Sequence, residues 1–190
     1  MAFLKHFPFR IGSLFLFAVL LAACAGTPTA TPSAQEASMT LTLSSSAFAA
    51  GKSIPAEFSC KGRNISPALA WSGAPANTAS YALIVEDPDA PSGTFVHWVI
   101  YNIPAASSGV AQGVARTPTL DDGTAQGKNS GNSQYYEGPC PPSGTHRYFF
   151  RLYALDTRLN LTPGATAEQL RKAIQGHVLA QGELMGTFSK

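Results

Sequence analysis

The segment SYALIVED, from Ser80 to Asp87, constrains the fold of this chain more than any other. It contains β-branched residues and is almost continuously apolar, which is typical of a strand that is buried on both faces. Such a strand lies inside a sheet that is covered on both sides.

Other segments show the two-residue alternation of strands. FVHWVIYN is predicted to place one set of side chains on one face, namely Phe95, His97, Val99 and Tyr101, and another on the opposite face, namely Val96, Trp98 and Ile100. HRYFFRLYALD is predicted to share one face among His146, Tyr148, Phe150 and Leu152. MTLTLSS, with Leu41 and Leu43 on one side, and the tail GELMGTFS complete the predicted strands.

One helix is predicted in TAEQLRKAIQGH, where Thr166 and Gln169 match a capping box and Leu170, Ala173 and Ile174 form an apolar stripe. Several strands joined by long irregular connections, with one or two helices, indicate a mainly-β sandwich with small helical additions.

The N-terminus has the composition of an export signal. Lys5 and Arg10 precede a short apolar run, which ends in Leu21–Ala23 and Cys24. This junction resembles the lipobox of bacterial lipoproteins, so residues 1–23 are predicted to be a signal peptide and Cys24 the lipidated first residue of the mature chain. The alternative is an ordinary signal peptide in which Cys24 has no role.

The segment after Cys24 is small, rich in Thr and Pro, and without apolar periodicity. We expect residues 24–38 to be a flexible tether and residues 39–190 to be one folded domain. The lipid anchor would attach the protein to a membrane of the cell envelope. Because Ala25 is not an aspartate retention signal, the outer membrane facing the periplasm is favoured in a Gram-negative cell.

The charge balance argues against a polyanionic partner. The chain has 13 Lys and Arg and 11 Asp and Glu, and removing Lys5 and Arg10 with the signal leaves 11 of each. Nucleic acids and anionic membrane surfaces are recognised through clustered basic residues, and no basic tract is present. Nucleic-acid binding is therefore not expected.

Cys60 and Cys140 remain after the anchor cysteine is assigned. An even pair of cysteines in an exported domain is usually bridged, so a disulfide between them is predicted. The alternative is two unpaired thiols.

Two histidines lie on predicted strands next to proline-stiffened polar loops. His97 follows the turn DPDAP, which presents Asp87 and Asp89, and His146 follows the loop YEGPCPPSGT. Glycines and prolines in this loop leave backbone amides that a small ligand could approach. The alternative is a simple turn and two structural histidines.

These same motifs resemble the phosphatidylethanolamine-binding protein family in its bacterial Raf-kinase-inhibitor-like branch. The resemblance rests on DPDAP, HW, GPCPPSGTHRY, GHVLAQGELMGTFS and CKGRNISPALAWSGAPANT. It implies a sandwich of antiparallel sheets with a small cavity for phosphate-like anions or phospholipid headgroups. The residues that it assigns to this cavity are Asp87, Asp89, His97, Gly138, Cys140, Pro141, Pro142, His146 and Tyr148.

The sequence thus predicts an envelope-tethered binding protein, with a phosphorylated small molecule or a phospholipid headgroup as partner and with no cofactor or metal. An inhibitor or regulator of a protease or kinase, acting through an unknown protein partner, is the alternative. A hydrolase is less favoured, because the sequence has neither the G-x-S-x-G nor the H-E-x-x-H motif. The protein is therefore not expected to be an enzyme.

Overall fold

The computed structural model describes residues 39–190. The predicted signal peptide, the lipidated Cys24 and the tether lie outside the described residues. Within residues 39–190, no helix is long and apolar enough to cross a membrane.

Residues 39–190 contain nine strands and one α-helix. In chain order they are β1 (Met39–Thr40), β2 (Thr42–Ser45), β3 (Leu69–Ser72), β4 (Ser80–Asp87), β5 (Phe95–Pro104), β6 (Gly109–Val110), β7 (Ala125–Gln126), β8 (Thr145–Leu155), α1 (Ala167–Ala173) and β9 (Val178–Ser189). A single 3₁₀ turn, Ala56–Phe58, precedes β3. The strands and the small helix agree with the mainly-β prediction.

The strands form two sheets. The larger has six strands in the order β1-β9-β8-β4-β5-β7, and the smaller has three in the order β2-β3-β6. Between these strands, every pairing is antiparallel except the two-residue pairing of β1 with β9, which is parallel. The predicted antiparallel sandwich is therefore confirmed.

The space between the sheets holds the larger apolar core. Leu43 and Trp71 of the small sheet pack there with Leu83, Trp98 and Phe150 of the large sheet. The opposite face of the large sheet carries a second core, in which Ile84 and Val99 pack with Leu170 and Ile174 of the α1 region. Because β4 contributes to both cores, its predicted burial on two faces is confirmed.

The helix begins as its sequence predicts. The Thr166 side chain accepts a hydrogen bond from Gln169 N, and the Gln169 side chain accepts one from Thr166 N, which completes the capping box. Leu170 and Ile174 are then buried against the large sheet.

The predicted alternation along β5 is wrong at its start. Trp98 pairs with Val85 but Val96 pairs with Glu86, so that β5 has one extra residue, His97, at this point. This is a β-bulge, which reverses the facing of the residues before it. Val96 consequently packs with Val99 on the second core, while the His97 ring contacts Tyr148 of the first core.

Candidate functional site

A cavity of about 240 Å³ lies at one end of the sandwich, where β4 ends and β5 and β8 begin. Seven of the predicted residues line it: Asp87, His97, Gly138, Cys140, Pro141, Pro142 and His146. Four residues that were not predicted as site residues complete the lining: Ala90, Pro91, Phe95 and Glu137. The bulge in β5 and the alternation of β8 thus bring the two histidines to the same cavity.

Asp87 and His146 form a buried pair on one wall. His146 Nδ1 donates to Asp87 Oδ2 at 2.7 Å, and the Asp89 backbone N–H donates to Asp87 Oδ1 at 2.8 Å. Asp87 is 3% exposed and His146 is 7% exposed. This bond uses Nδ1 of the ring. The other ring nitrogen of His146 has no hydrogen-bond partner among the described residues, so it is available to a ligand.

His97 is held from its other side by the proline loop. Its Nδ1 donates to the Glu137 carbonyl oxygen at 2.7 Å, and the Glu137 N–H donates back to the His97 carbonyl at 3.0 Å. Burial lowers the pKa of the His97 imidazole, and this outweighs the Glu137 hydrogen bond and the Asp87 charge, which raise it. His97 is therefore neutral near pH 7, and its Nε2 is a hydrogen-bond acceptor.

Tyr148 does not line the cavity but lies behind it. Its ring meets the His97 ring edge to face, with centroids 5.2 Å apart. The Tyr148 hydroxyl is buried beside the Asp87 carboxylate and the Cys140 backbone, without a hydrogen bond of good geometry to either. Burial, followed by the charge of Asp87, raises the pKa of this hydroxyl above its usual value, so it is a proton donor at all ordinary pH values.

Asp89 does not line the cavity either. Its carboxylate accepts hydrogen bonds from Arg147 Nε at 2.9 Å and from Arg147 Nη2 at 2.6 Å. The hydrogen bonds from Arg147 lower the pKa of the Asp89 carboxyl to about 2. Although it belongs to the predicted turn, Asp89 is engaged by a neighbouring strand and contributes its backbone N–H to the site.

The proline loop that forms the opposite wall is fastened to the segment before β3. Gly138 N donates to Asn64 Oδ1 at 2.7 Å, and Tyr136 Oη donates to the Phe58 carbonyl at 2.9 Å. A Cβ at Gly138 would collide with the Phe58 carbonyl oxygen, so this close approach requires glycine. The disulfide predicted between Cys60 and Cys140 is present in the structure.

Glu137 and Phe95 are the two unpredicted lining residues with a charged or an aromatic side chain. Glu137 directly precedes the motif glycine, Gly138, and Phe95 begins the strand that carries His97. The Glu137 carboxylate forms no ion pair or hydrogen bond within the described residues, and it lies against Gly131. The Phe95 ring is half-buried, with its centroid 4.7 Å from that of His97.

The site can therefore offer two imidazole nitrogens, a carboxylate and an aromatic face to a small ligand. Within residues 39–190, no group of three or more His, Cys, Asp or Glu side chains is arranged to hold a metal ion.

A larger depression, of about 380 Å³, lies on the outer side of β8 and β9. There Arg151 and Glu183 bind each other at 3.0 Å, so their charges are already paired.

Comparison with known proteins gives a consistent assignment. The family model described as phosphatidylethanolamine-binding protein matches residues 44–189. A UPF0098 protein from Methanothermobacter thermautotrophicus is 52% identical over 137 residues, covering 72% of this chain and 91% of the relative. LppC from Mycobacterium tuberculosis, whose name describes it as a candidate lipoprotein, is 47% identical over 150 residues, covering 78% of this chain and 72% of LppC.

Two crystal structures are similar to the fold. One is CT736 from Chlamydia trachomatis, named as a homologue of phosphatidylethanolamine-binding proteins, with a TM-score of 0.74, 42% identity, and coverage of 80% of this chain and 99% of CT736. The other is YbcL from E. coli, named as a member of the mammalian PEBP family, with a TM-score of 0.73, 28% identity, and coverage of 79% and 98%. From its sequence and its fold, this chain belongs to the phosphatidylethanolamine-binding protein family.

Proposed function

We propose that this protein is an envelope-tethered binding protein whose cavity takes a small ligand with a phosphate group and a neighbouring cation, as in a phospholipid headgroup. The observation that carries the proposal is the pair of buried histidines. Each has Nδ1 bound to a protein acceptor at 2.7 Å, and each leaves its second ring nitrogen available at the same cavity.

The phosphate would lie between the two imidazoles. His146 is oriented by Asp87, so its second nitrogen can donate to a phosphate oxygen when the ring is protonated. His97 is neutral and accepts, so it would bind a phosphate that carries a proton.

The charges favour a zwitterion over phosphate alone. Asp87 and Glu137 are the acidic lining residues, and neither lysine nor arginine lines the cavity within the described part of the chain. A phosphate dianion would meet this negative potential unless the ligand also carries a cation. Glu137 is unpaired, and Phe95 offers an aromatic face that attracts ammonium groups.

The volume favours a headgroup rather than a whole lipid. Cavities that enclose drug-sized ligands measure roughly 300–1,000 Å³, which is more than the 240 Å³ available here. Acyl chains would therefore remain outside. A ligand of this size has few atoms, so we expect modest affinity.

Calorimetric titration of the purified full-length protein with phosphorylethanolamine tests the proposal. We expect binding at about pH 6 that weakens at about pH 8, because a phosphate monoester loses its second proton near pH ~6. The phosphate then no longer carries the proton that it would donate to His97 Nε2. Inorganic phosphate and ethanolamine, titrated separately, should each bind more weakly than the zwitterion.

His146→Ala and His177→Ala form a matched pair for this assay. His177 Nδ1 also bonds an aspartate, Asp156 Oδ1, at 2.8 Å, but the pair is exposed and lies outside the cavity. We expect His146→Ala to abolish binding and His177→Ala to leave it unchanged, with folding verified by circular dichroism. His97→Gln replaces His146→Ala if the latter does not fold. Equal binding by the cavity variants and the control would reject the site.

The envelope location is part of the same proposal. It is supported by the junction at Cys24, which resembles a lipobox, and by the similarity to a relative that is named as a candidate lipoprotein. A lipid anchor would hold the cavity close to headgroups at a membrane surface.

A further inference from the structure

One wall of the cavity is cross-linked to a distant loop by the Cys60–Cys140 disulfide. Cys140 lines the cavity, and the two cysteines are 80 residues apart in the chain with Cα atoms at 5.4 Å. Both residues are exposed to solvent. A thiol in solution can therefore reach this bond, unlike one that is buried in a core.

Hydrogen bonds fasten the first part of the wall to the same loop. Gly138 N donates to Asn64 Oδ1 at 2.7 Å, and Cys60 N donates to the Pro139 carbonyl at 3.1 Å. These bonds do not depend on the disulfide. The wall up to Pro139 would therefore keep its position if the disulfide were reduced.

The second part of the wall has no such backbone hydrogen bonds, although its Pro141 is buried. Within the described residues, Cys140, Pro141, Pro142 and Ser143 make no backbone–backbone hydrogen bond to the rest of the domain, and the Cys140 backbone lies near the Tyr148 hydroxyl. The next bond is from Lys190 N to the Gly144 carbonyl at 3.1 Å. Between Pro139 and Gly144, the wall is thus attached to the domain by the packing of the buried Pro141 ring and by one covalent cross-link, the disulfide.

We propose that the redox state of the Cys60–Cys140 disulfide controls ligand affinity at this cavity, an inference that rests on the proposed function. A dithiol is the reductant. One of its thiolates attacks one sulfur of the Cys60–Cys140 bond, which breaks that bond, releases the other cysteine as a thiolate and forms a mixed disulfide. The second thiolate of the reductant then attacks its own sulfur in the mixed disulfide and releases the remaining cysteine as a thiolate. Two electrons and two protons pass to Cys60 and Cys140, and the dithiol becomes a disulfide.

Reduction lowers affinity because the ligand must then order the wall at Cys140, Pro141 and Pro142. The oxidised protein holds these residues in place before the ligand arrives. Binding and reduction are thermodynamically linked. If reduction weakens ligand binding by a certain factor, bound ligand shifts the reduction equilibrium toward the oxidised protein by the same factor. We expect a factor of about ten, within the range that coupled sites usually show.

The test compares phosphorylethanolamine binding to the full-length protein under three conditions, by calorimetry at about pH 6. These are the oxidised wild type, the wild type reduced with dithiothreitol, and the Cys60→Ser variant, which removes the bond but leaves Cys140 in the cavity. We expect both forms without the bond to bind about tenfold more weakly, with an unchanged circular dichroism spectrum. We also expect phosphorylethanolamine to protect the wild type from reduction by the same factor.

The outcomes separate the two proposals. If the oxidised wild type does not bind, the proposed function fails and the redox control falls with it. If the oxidised protein binds and the reduced protein binds equally well, the redox control is wrong and the proposed function stands. If reduction removes binding and secondary structure together, the disulfide is a structural cross-link and the redox control is again wrong.

Discussion

Replacing Asp87 with alanine should destabilise the fold far more than replacing Asp89, although both belong to the same DPDAP turn. Asp87 is 3% exposed, and its carboxylate accepts bonds from His146 Nδ1 at 2.7 Å and from Asp89 N at 2.8 Å. Removing one partner of a buried pair typically costs about 3–5 kcal/mol. That is a large part of a total stability of roughly 5–15 kcal/mol.

Asp89 is the matched control. Its partner, Arg147, has a side chain that is 53% exposed, and exposed ion pairs contribute about 0–1 kcal/mol. Asp87→Asn keeps an oxygen that can accept the His146 bond, so we expect an intermediate loss. The order of stability should therefore be wild type, Asp89→Ala, Asp87→Asn and Asp87→Ala.

Urea unfolding, followed by circular dichroism at neutral pH, measures these differences. The midpoint should fall without a change of slope, and the melting temperature of Asp87→Ala should fall by about 6–20 °C for a domain of this size. If Asp87→Ala and Asp89→Ala lost equal stability, the buried pair would not exist as described. A loss below about 1 kcal/mol for Asp87→Ala would have the same meaning.

Three other predictions follow from the site and the N-terminus. Burial lowers the pKa of His97 in the folded protein, so the contribution of His97 to stability is present above its unfolded pKa of about 6.5 and is lost as the pH falls toward its folded pKa. The wild type should therefore lose more stability than His97→Gln between about pH 7 and pH 5. An equal loss would contradict the conclusion that His97 is buried in its neutral form. Gly138→Ala places a Cβ against the Phe58 carbonyl and 2.8 Å from Asn64 Oδ1, so we expect about 1–3 kcal/mol of destabilisation in urea and weaker ligand binding, whereas an unchanged midpoint would refute the close approach. Cys24→Ala should move the protein from the membrane fraction to the soluble envelope fraction after cell fractionation, and continued membrane association would reject the lipoprotein hypothesis.

Much of the fold could be predicted because its signals are local. The nearly continuous apolar run of Ser80–Asp87 predicts a strand that is buried on both faces. Thr166 and Gln169 mark the start of α1 through hydrogen bonds between residues three apart in the chain. Family motifs likewise identified His146 and the proline loop as neighbours in the site. Each of these inferences depends on residues that are close together in the chain.

The tertiary structure decided which of these residues meet. Strict alternation assigned His97 to the face of Val99, but the pairing of β5 with β4 inserts a bulge that directs its ring toward Tyr148. Asp89 does not line the cavity because Arg147, which is distant in sequence, binds its carboxylate. Glu137 lines the cavity because its carbonyl oxygen accepts a hydrogen bond from His97. Bulges and ion pairs between strands depend on the register of distant segments, which the periodicity of one segment does not contain.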